Sequence, residues 1–279
     1  MKTHTPALID EPYVLNPEQI SQFRRDGFIK IKNVLDEETL SHYATAVTEQ
    51  TLAHNPHKSK SLEERDTYDK AFIQVGNLWE KDAKVKDFTF SKRLARIATE
   101  LLEVSGVRLW HDQALYKEPK GGFTPWHVDQ QYWPMLTDRA VTAWIPLQAV
   151  PIEMGPLEFG KRSHQMNIAR EIEISDESEA IIAGAVDRYK IQTTFEPYEL
   201  GEVSFHLGWT LHRAGGNTTD QARKVHTIIY MEEDQRLTDP ANHFQEADWK
   251  KWTPTSKIAG VMKDAKNPLL YRTDKSSPH

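Results

Sequence analysis

Residues 201–231 read GEVSFHLGWTLHRAGGNTTDQARKVHTIIYM, and this stretch decides how the chain is expected to fold. Its two ends, residues 201–206 and 224–230, are rich in β-branched and aromatic residues and are predicted as strands. Between them, Gly215 and Gly216 indicate a turn. The stretch therefore predicts two short strands of a β core, joined by a loop that carries polar and charged side chains.

Further strands are predicted upstream of this stretch. Residues 107–110 and 113–116 have strand character and are followed by the strand breaker Pro119. Residues 141–147 form another apolar run, in which Pro146 indicates an edge strand or a bend. The middle of the chain thus adds three predicted strands to the same core.

The first third of the chain has helical spacing instead. Asn16 and Asp36 are predicted N-caps of two helices, and a short strand at residues 28–31 separates them. A third helix is predicted to start at Ser91. Short strands that follow an opening helical segment predict an antiparallel β core with a helical layer. The predicted fold class is therefore mainly β with a helical layer.

The chain is expected to form one domain over residues 1–279. We predict a helical N-terminal part at about 1–105, a β core at about 106–235 and a C-terminal extension at 236–279. Residues 165–190 are acidic and helix-like and lack strong capping residues. They are interpreted as an insertion, and whether they form a lid stays open.

Composition excludes several classes of protein. The chain has 279 residues, a net charge of -6 and no long basic tract, so no nucleic-acid partner is expected. It lacks a run of about 18 apolar residues and a signal-like N-terminus, which predicts no membrane span and a cytoplasmic location. With no cysteine, thiolate zinc sites and iron–sulfur clusters are excluded. A monomer or a small homo-oligomer acting on a small molecule is expected.

The tripeptide His127-Val128-Asp129 is the sharpest local feature. Residues two apart in a strand point to the same side, so an imidazole and a carboxylate would face one divalent metal. Alone, this pattern is weak because surface pairs of this kind are common. Its neighbours Trp126, Tyr132 and Trp133 suggest a substrate pocket wall, although a packed core explains them equally well.

A third ligand must come from a distant part of the chain. With one more histidine, the site would become the two-histidine, one-carboxylate face typical of non-haem iron. His206 ends a predicted strand, whereas His212 leads into the glycine turn, and spacing favours His212 only modestly. His111, His164 and His226 are weaker candidates.

Arg223 opens the last predicted strand eleven positions after His212. A guanidinium group at that point could pair in a bidentate way with a carboxylate of a small acid. An arginine on a solvated strand end is the ordinary explanation, and it is the better one for Arg223 taken alone.

In combination, these residues resemble the phytanoyl-CoA dioxygenase family of iron(II)/2-oxoglutarate oxygenases. The resemblance rests on His127-x-Asp129, His212-x4-Asn217 and Arg223. It also extends to four longer segments, which are RRDGFIKIKNVLDEETL (24–40), LYKEP (115–119), GPLEFGKRSH (155–164) and the opening stretch at 201–231. It covers most of residues 13–235. One departure is Lys161-Arg162, where family members commonly have a glycine.

The resemblance implies a double-stranded β-helix, a cupin-like jelly-roll barrel, with the N-terminal helices beside it. It implies Fe(II) as the metal, and 2-oxoglutarate and O2 as co-substrates. The site residues that it implies are His127, Asp129 and His212 as metal ligands, Arg223 on the distal carboxylate of 2-oxoglutarate, and Trp144, Gln113 and Leu115 around that co-substrate.

The activity implied by the resemblance is hydroxylation of a C–H bond, with succinate and CO2 as co-products. Related halogenating enzymes lack the carboxylate ligand, so the presence of Asp129 favours hydroxylation. Two alternatives remain: a cupin-like metal-dependent hydrolase or isomerase, and a ligand-binding homologue without catalysis. The substrate itself is not predicted beyond a small organic molecule.

Overall fold

The structure is a computed structural model that describes residues 7–273. Its α-helices are α1 (Pro17–Asp26), α2 (Glu37–Ala53), α3 (Thr67–Ala71), α4 (Ala83–Thr89), α5 (Lys92–Leu102), α6 (Asp176–Arg188) and α7 (His243–Trp252). Its strands are β1 (Phe28–Ile31), β2 (Ile73–Gly76), β3 (Gly106–Tyr116), β4 (Thr124–His127), β5 (Ala140–Pro146), β6 (Leu157–Gly160), β7 (Thr193–Phe195), β8 (Val203–Leu207), β9 (His212–Ala214), β10 (Val225–Glu232) and β11 (Leu269–Arg272). Within residues 7–273, no helix has the length and apolar character needed to cross a membrane.

Two antiparallel sheets form the β core. The larger sheet has the strand order β1-β8-β5-β10-β3-β11, with β2 also paired to β3, and the smaller has the order β4-β9-β6-β7. Side chains from both sheets meet in one apolar cluster, in which Trp144 and Val225 of the larger sheet join Leu157, Phe159 and Ala214 of the smaller. This arrangement is a double-stranded β-helix, as predicted.

The N-terminal helices cover the outer face of the larger sheet. Alternate residues of β5 and β10, such as Val141, Ala143 and Ile228, point outward and pack against apolar residues of α2, α4 and α5. The inward residues of the same strands are thereby free to line the barrel. Strands β2 and β11, which were not predicted, show that both flanking parts contribute to this sheet.

The separate strands predicted at 107–110 and 113–116 are one strand, β3. The prediction of two strands was wrong, because the polar pair His111-Asp112 between them belongs to the same strand. Both residues are buried: His111 stacks on Trp252 at 4.3 Å, and Asp112 accepts a hydrogen bond from Thr89 at 2.8 Å. Polar residues with such partners do not interrupt a strand.

Two other local predictions need correction. Strand β5 lies between β8 and β10, so Pro146 does not mark an edge; it is the last residue of the strand, where a missing N–H costs little. The segment 165–190 does contain a well-capped helix, because Ser175 and Ser178 form a capping box at the start of α6. Serine at the third helical position is not the usual sequence signal for that motif.

Lys161-Arg162, where a glycine was expected from the resemblance, does not change the local turn. Arg162 adopts a left-handed backbone conformation with φ of 62°, the region that glycine occupies without strain. Its N–H donates to the carbonyl of Asp26 at 2.9 Å, which ties this turn to the end of α1. The arginine thus keeps the turn that a glycine would form.

A buried polar group joins the helical layer to the sheet. Asp112 of β3 is fully buried, and its Oδ2 accepts from Thr89 Oγ1 at 2.8 Å and from the Trp79 N–H at 3.1 Å. His226 Nε2 lies 3.6 Å from the same oxygen, but burial lowers the pKa of His226 to about 3, so the ring is neutral. Without a cation nearby, burial raises the pKa of Asp112 to about 7.

Replacing Asp112 with asparagine should remove a pH dependence of stability. The pKa of Asp112 is higher in the folded chain, so its contribution is complete at acidic pH and is lost as the pH rises towards about 7. The wild type should therefore lose stability relative to D112N as the pH rises from acidic values to about 7. The difference between their free energies of unfolding, D112N minus wild type, should increase by up to about 4 kcal/mol. Urea unfolding at several pH values measures it, with D87N on the exposed face of α4 as control. Parallel pH profiles for D112N and the wild type would contradict the assignment.

Candidate metal centre

Two histidines face each other across neighbouring strands of the smaller sheet. His127 at the end of β4 is the direct register partner of His212 at the start of β9. Their ring centroids lie 4.1 Å apart. Since directly opposite residues of an antiparallel pair project to the same side, the pairing brings together two imidazoles that are distant in sequence.

Asp129 completes the group. Its Oδ1 lies 3.6 Å from Nε2 of His127 and 3.6 Å from Nε2 of His212, and one donor atom of each residue lies within 4.8 Å of the others. The prediction placed Asp129 in the same strand as His127, two residues further along. In the structure, β4 ends at His127, so Asp129 lies outside the strand. It follows the strand end in a helical conformation, so a turn directs its carboxylate toward the two rings.

Backbone carbonyls orient both rings. Nδ1 of His127 lies 2.8 Å from the carbonyl oxygen of Pro125, and Nδ1 of His212 lies 3.0 Å from that of Thr210. A proton on each Nδ1 satisfies these contacts and leaves the Nε2 lone pairs directed at the site. Burial lowers the pKa of both histidines to about 4, so both are neutral at neutral pH and available as ligands.

The second oxygen of Asp129 is held by two other side chains. Thr142 Oγ1 donates to Oδ2 at 3.1 Å, and His206 Nε2 lies 3.3 Å from the same oxygen. His206 Nδ1 has no hydrogen-bond partner among residues 7–273, which agrees with a proton on Nε2 that is donated to the carboxylate. Oδ1 therefore faces His127 and His212, which favours monodentate binding of a metal.

The pKa of Asp129 reflects this environment. Burial by itself would raise it, but the interaction with His212 and the hydrogen bond from His206 outweigh burial and lower the pKa below its ordinary value. The carboxylate is thus ionised at neutral pH. His206, whose role was open from the sequence, lies within hydrogen-bond distance of this carboxylate.

Replacing His206 with phenylalanine should weaken metal binding without removing a ligand. Loss of a hydrogen bond that orients a ligating carboxylate typically lowers metal affinity by about 10- to 100-fold. Titration of the protein with Mn²⁺ or Co²⁺ measures this change, and H54F, at an exposed histidine, is the control. Equal affinities for H206F and the wild type would show that His206 does not position Asp129.

Among residues 7–273, Arg223 lies inside the barrel without an anionic partner. Its side chain is buried, Nη1 donates to the Gly155 carbonyl, and Nε has no partner among the described residues. The guanidinium lies 5.3 Å from the ring centroid of Trp144, which itself packs on Tyr198 at 4.7 Å. Burial lowers the pKa of Arg223 to about 10, so it remains charged at neutral pH. A buried cation with only neutral contacts is suited to an incoming carboxylate.

The other two predicted co-substrate residues lie on the inward face of β3. Gln113 accepts a hydrogen bond from Gln74 Nε2 at 2.6 Å, and Gln74 in turn accepts from the Tyr68 hydroxyl at 3.0 Å. Leu115 is half-buried against the apolar cluster that contains Trp144. The structure therefore brings Gln113, Leu115 and Trp144 to the barrel interior.

The three aromatic residues predicted to contact substrate occupy different places. Trp126 is buried on the outer side of β4, under α6, because it alternates with the inward His127. Trp133 is buried in a cluster with Trp110 and Met135. Tyr132 is half-buried, and its hydroxyl accepts from the Ile174 N–H at 3.0 Å, which joins the metal-site turn to the segment before α6.

Three polar residues of the interior were not predicted from the sequence, namely Tyr68, Gln74 and Lys117. Lys117 follows Leu115 by two positions, so strand alternation already indicated that it shares the inward face of Gln113 and Leu115. No comparable signal was available for Tyr68 and Gln74, since they enter the site through α3 and the unpredicted strand β2.

The fold and the site together define a double-stranded β-helix protein with a two-histidine, one-carboxylate face suited to a metal. The chain belongs to the phytanoyl-CoA dioxygenase family, since the model of that family, "Phytanoyl-CoA dioxygenase (PhyH)", matches residues 23–225. The family resemblance recognised in the sequence is thereby confirmed.

Individual relatives agree with this assignment. The chain is 23% identical over 278 residues to a phytanoyl-CoA dioxygenase domain-containing protein 1 homolog of Caenorhabditis briggsae, covering 82% of this chain and 96% of the relative. It is 26% identical over 170 residues to phytanoyl-CoA dioxygenase domain-containing protein 1 of Danio rerio, covering 58% of each chain.

Solved structures share the fold. The carbocyclase SnoK from nogalamycin biosynthesis, described as non-heme and alpha ketoglutarate dependent, superposes with a TM-score of 0.76 at 23% identity, covering 94% of this chain and 100% of SnoK. EctD from S. alaskensis, solved with 2-oxoglutarate and 5-hydroxyectoine, has a TM-score of 0.70 at 18% identity, covering 94% of this chain and 93% of EctD.

Proposed function

We propose that this protein is an Fe(II)- and 2-oxoglutarate-dependent dioxygenase that hydroxylates a C–H bond of a small organic substrate. The observation that carries the proposal is the convergence of His127 Nε2 and His212 Nε2 on Asp129 Oδ1, each at 3.6 Å. Two neutral imidazoles and one carboxylate match the facial donor set of non-haem Fe(II) oxygenases.

The donor set fits this metal in its charge and its chemistry. Because His206 and Thr142 lie against Oδ2, Asp129 would offer the metal a single oxygen, beside one nitrogen each from His127 and His212. 2-Oxoglutarate and O2 would be the further reactants. With these bound, the metal centre supplies the oxidising power that comes from decarboxylation of 2-oxoglutarate to succinate and CO2.

The buried guanidinium supports 2-oxoglutarate as the co-substrate. Arg223 makes no ion pair within residues 7–273 and has a free Nε–H, so a distal carboxylate would satisfy a charge that the protein leaves uncompensated. Trp144 and Leu115 would cover the methylene carbons of the co-substrate. One protein of the same fold, the epimerase SnoN, was solved in complex with Fe³⁺, alpha ketoglutarate and nogalamycin RO. It superposes with a TM-score of 0.73 at 24% identity, covering 91% of this chain and 98% of SnoN.

The proposed reaction is hydroxylation. Asp129 would supply the third protein ligand, and a carboxylate at that position favours oxygen insertion over halogenation. We propose Tyr132 as a substrate contact, because it follows Asp129 by one turn and remains half-buried. Location in the cytoplasm and a monomeric or small homo-oligomeric state belong to the same proposal.

A coupled assay tests the function. The Fe(II)-loaded protein is incubated with 2-oxoglutarate, O2 and a metabolite collection, and substrate-stimulated succinate is measured together with product mass. The expected result is succinate that depends on all three components and a product heavier by one oxygen atom. Turnover with Zn²⁺ or Mn²⁺ in the absence of 2-oxoglutarate would support a hydrolase or isomerase instead. Failure to bind metal and 2-oxoglutarate would support a non-catalytic homologue.

A further inference from the structure

Lys117 is a second buried cation beside Arg223. Its side chain has no exposed surface, and it lies immediately after β3. Its backbone exchanges two hydrogen bonds with that of Arg223, N–H to carbonyl at 2.9 Å in both directions. Residues paired in this way project to the same side of an antiparallel sheet, with Cβ atoms roughly 5 Å apart. The two cations therefore enter the barrel side by side.

Both cationic heads reach from the larger sheet toward the smaller one. Lys117 Nζ donates to the carbonyl of Gly122, which precedes β4, and lies 3.5 Å from Thr124 Oγ1 in β4. Arg223 donates to the carbonyl of Gly155, just before β6. Thr124 lies three residues before His127 in the same strand, so the Lys117 head and the candidate metal ligands contact the same strand of the smaller sheet.

No acidic side chain in the described part of the chain balances the charges of these two side chains. Within residues 7–273, neither Lys117 nor Arg223 forms an ion pair, and their hydrogen-bond acceptors are neutral oxygens. Burial, and then the positive charge of Arg223, lowers the pKa of Lys117 well below its ordinary value. Keeping two adjacent cations away from water is costly unless an anion joins them.

We infer that Lys117 is a positioning residue for the co-substrate, holding with Arg223 the distal carboxylate of 2-oxoglutarate. The inference rests on the proposed function. A carboxylate has two oxygens. Arg223 has a free Nε–H, and Lys117 has an N–H donor beyond the one that it gives to Gly122, so the two side chains offer separate hydrogen bonds to both oxygens. Lys117 would thereby contribute to selectivity for 2-oxo acids that carry a second carboxylate.

A structural role is the alternative for Lys117. Its bond to the Gly122 carbonyl fastens the turn before β4, and this turn is also held by the Gly122 N–H on the Lys70 carbonyl at 2.8 Å. If Lys117 only fastened the turn, its loss would disturb β4 and affect every 2-oxo acid alike. The two roles therefore differ in ligand selectivity.

The test measures equilibrium binding to the Co²⁺-loaded protein without O2, by calorimetry and by the visible spectrum of the metal. Two ligands are compared: 2-oxoglutarate and 2-oxopentanoate, which lacks the distal carboxylate. For K117M we expect an affinity for 2-oxoglutarate lower by about 10- to 100-fold. The affinities for 2-oxopentanoate and Co²⁺ should equal those of the wild type, and K117R should recover part of the loss.

Three outcomes would overturn the inference: equal loss for both ligands, unchanged binding of 2-oxoglutarate, or no recovery in K117R. Absence of 2-oxoglutarate binding to the wild-type metal-loaded protein would instead reject the proposed function, which separates the two failures. If K117M does not fold, the comparison is made with K117Q. A double-mutant cycle of that variant with R223M then reports whether the two cations act on one carboxylate.

Discussion

Replacing Asp129 with alanine is expected to abolish metal-dependent turnover. Asp129 is the carboxylate of the proposed metal site, and its Oδ1 lies 3.6 Å from Nε2 of His127 and 3.6 Å from Nε2 of His212. Removing a buried charge while its partners stay in place costs about 3–5 kcal/mol, which corresponds to a loss of about 10²- to 10⁴-fold in affinity for a divalent metal. Anaerobic titration with Fe²⁺ and measurement of succinate formation both report the effect.

The matched control for this prediction is D87A. Asp87 is an exposed carboxylate on α4, on the helical side of the larger sheet, so its removal changes the net charge equally and leaves the site intact. D87A should bind metal and produce succinate as the wild type does. Coupled turnover that persists in D129A would reject the ligand assignment.

Replacing Arg223 with methionine is expected to remove productive binding of 2-oxoglutarate while the metal still binds. Methionine fills a similar volume beside Trp144 but carries no charge for the distal carboxylate. Loss of one partner of a buried, hydrogen-bonded charge pair costs at least about 2 kcal/mol, so the dissociation constant of 2-oxoglutarate should rise at least about 30-fold. The KM for 2-oxoglutarate and its direct binding to the metal-loaded protein measure the change.

Arg213 provides the comparison for R223M. It follows the ligand His212 directly, but its guanidinium points away from the barrel and is already paired with Glu158 at 2.7 Å and Glu179 at 2.8 Å. We expect R213M to reduce stability, because it loosens α6 from β9, and to leave the affinity for 2-oxoglutarate unchanged. An R223M protein with wild-type affinity for the co-substrate would remove Arg223 from the proposed site.

Local signals in the sequence sufficed for much of the fold. The caps at Asn16 and Asp36 start α1 and α2 where they were predicted, because capping depends on hydrogen bonds between residues three apart. The apolar runs of β5 and β10 were equally clear. The errors fall where a distant partner overrides a local pattern, as with His111-Asp112, whose burial beside Trp252 and Thr89 keeps β3 continuous.

The sequence by itself determined which chemical groups are present: the His127-x-Asp129 pair, two candidate histidines downstream, an arginine at a strand start, and no cysteine. Only the tertiary structure separated His212, which pairs with His127 across two strands, from His206, which holds Asp129 through its other oxygen. It alone also set Lys117 opposite Arg223. The physical reason is that strand register depends on hydrogen bonds between segments far apart in the chain, and local residue spacing does not specify those bonds.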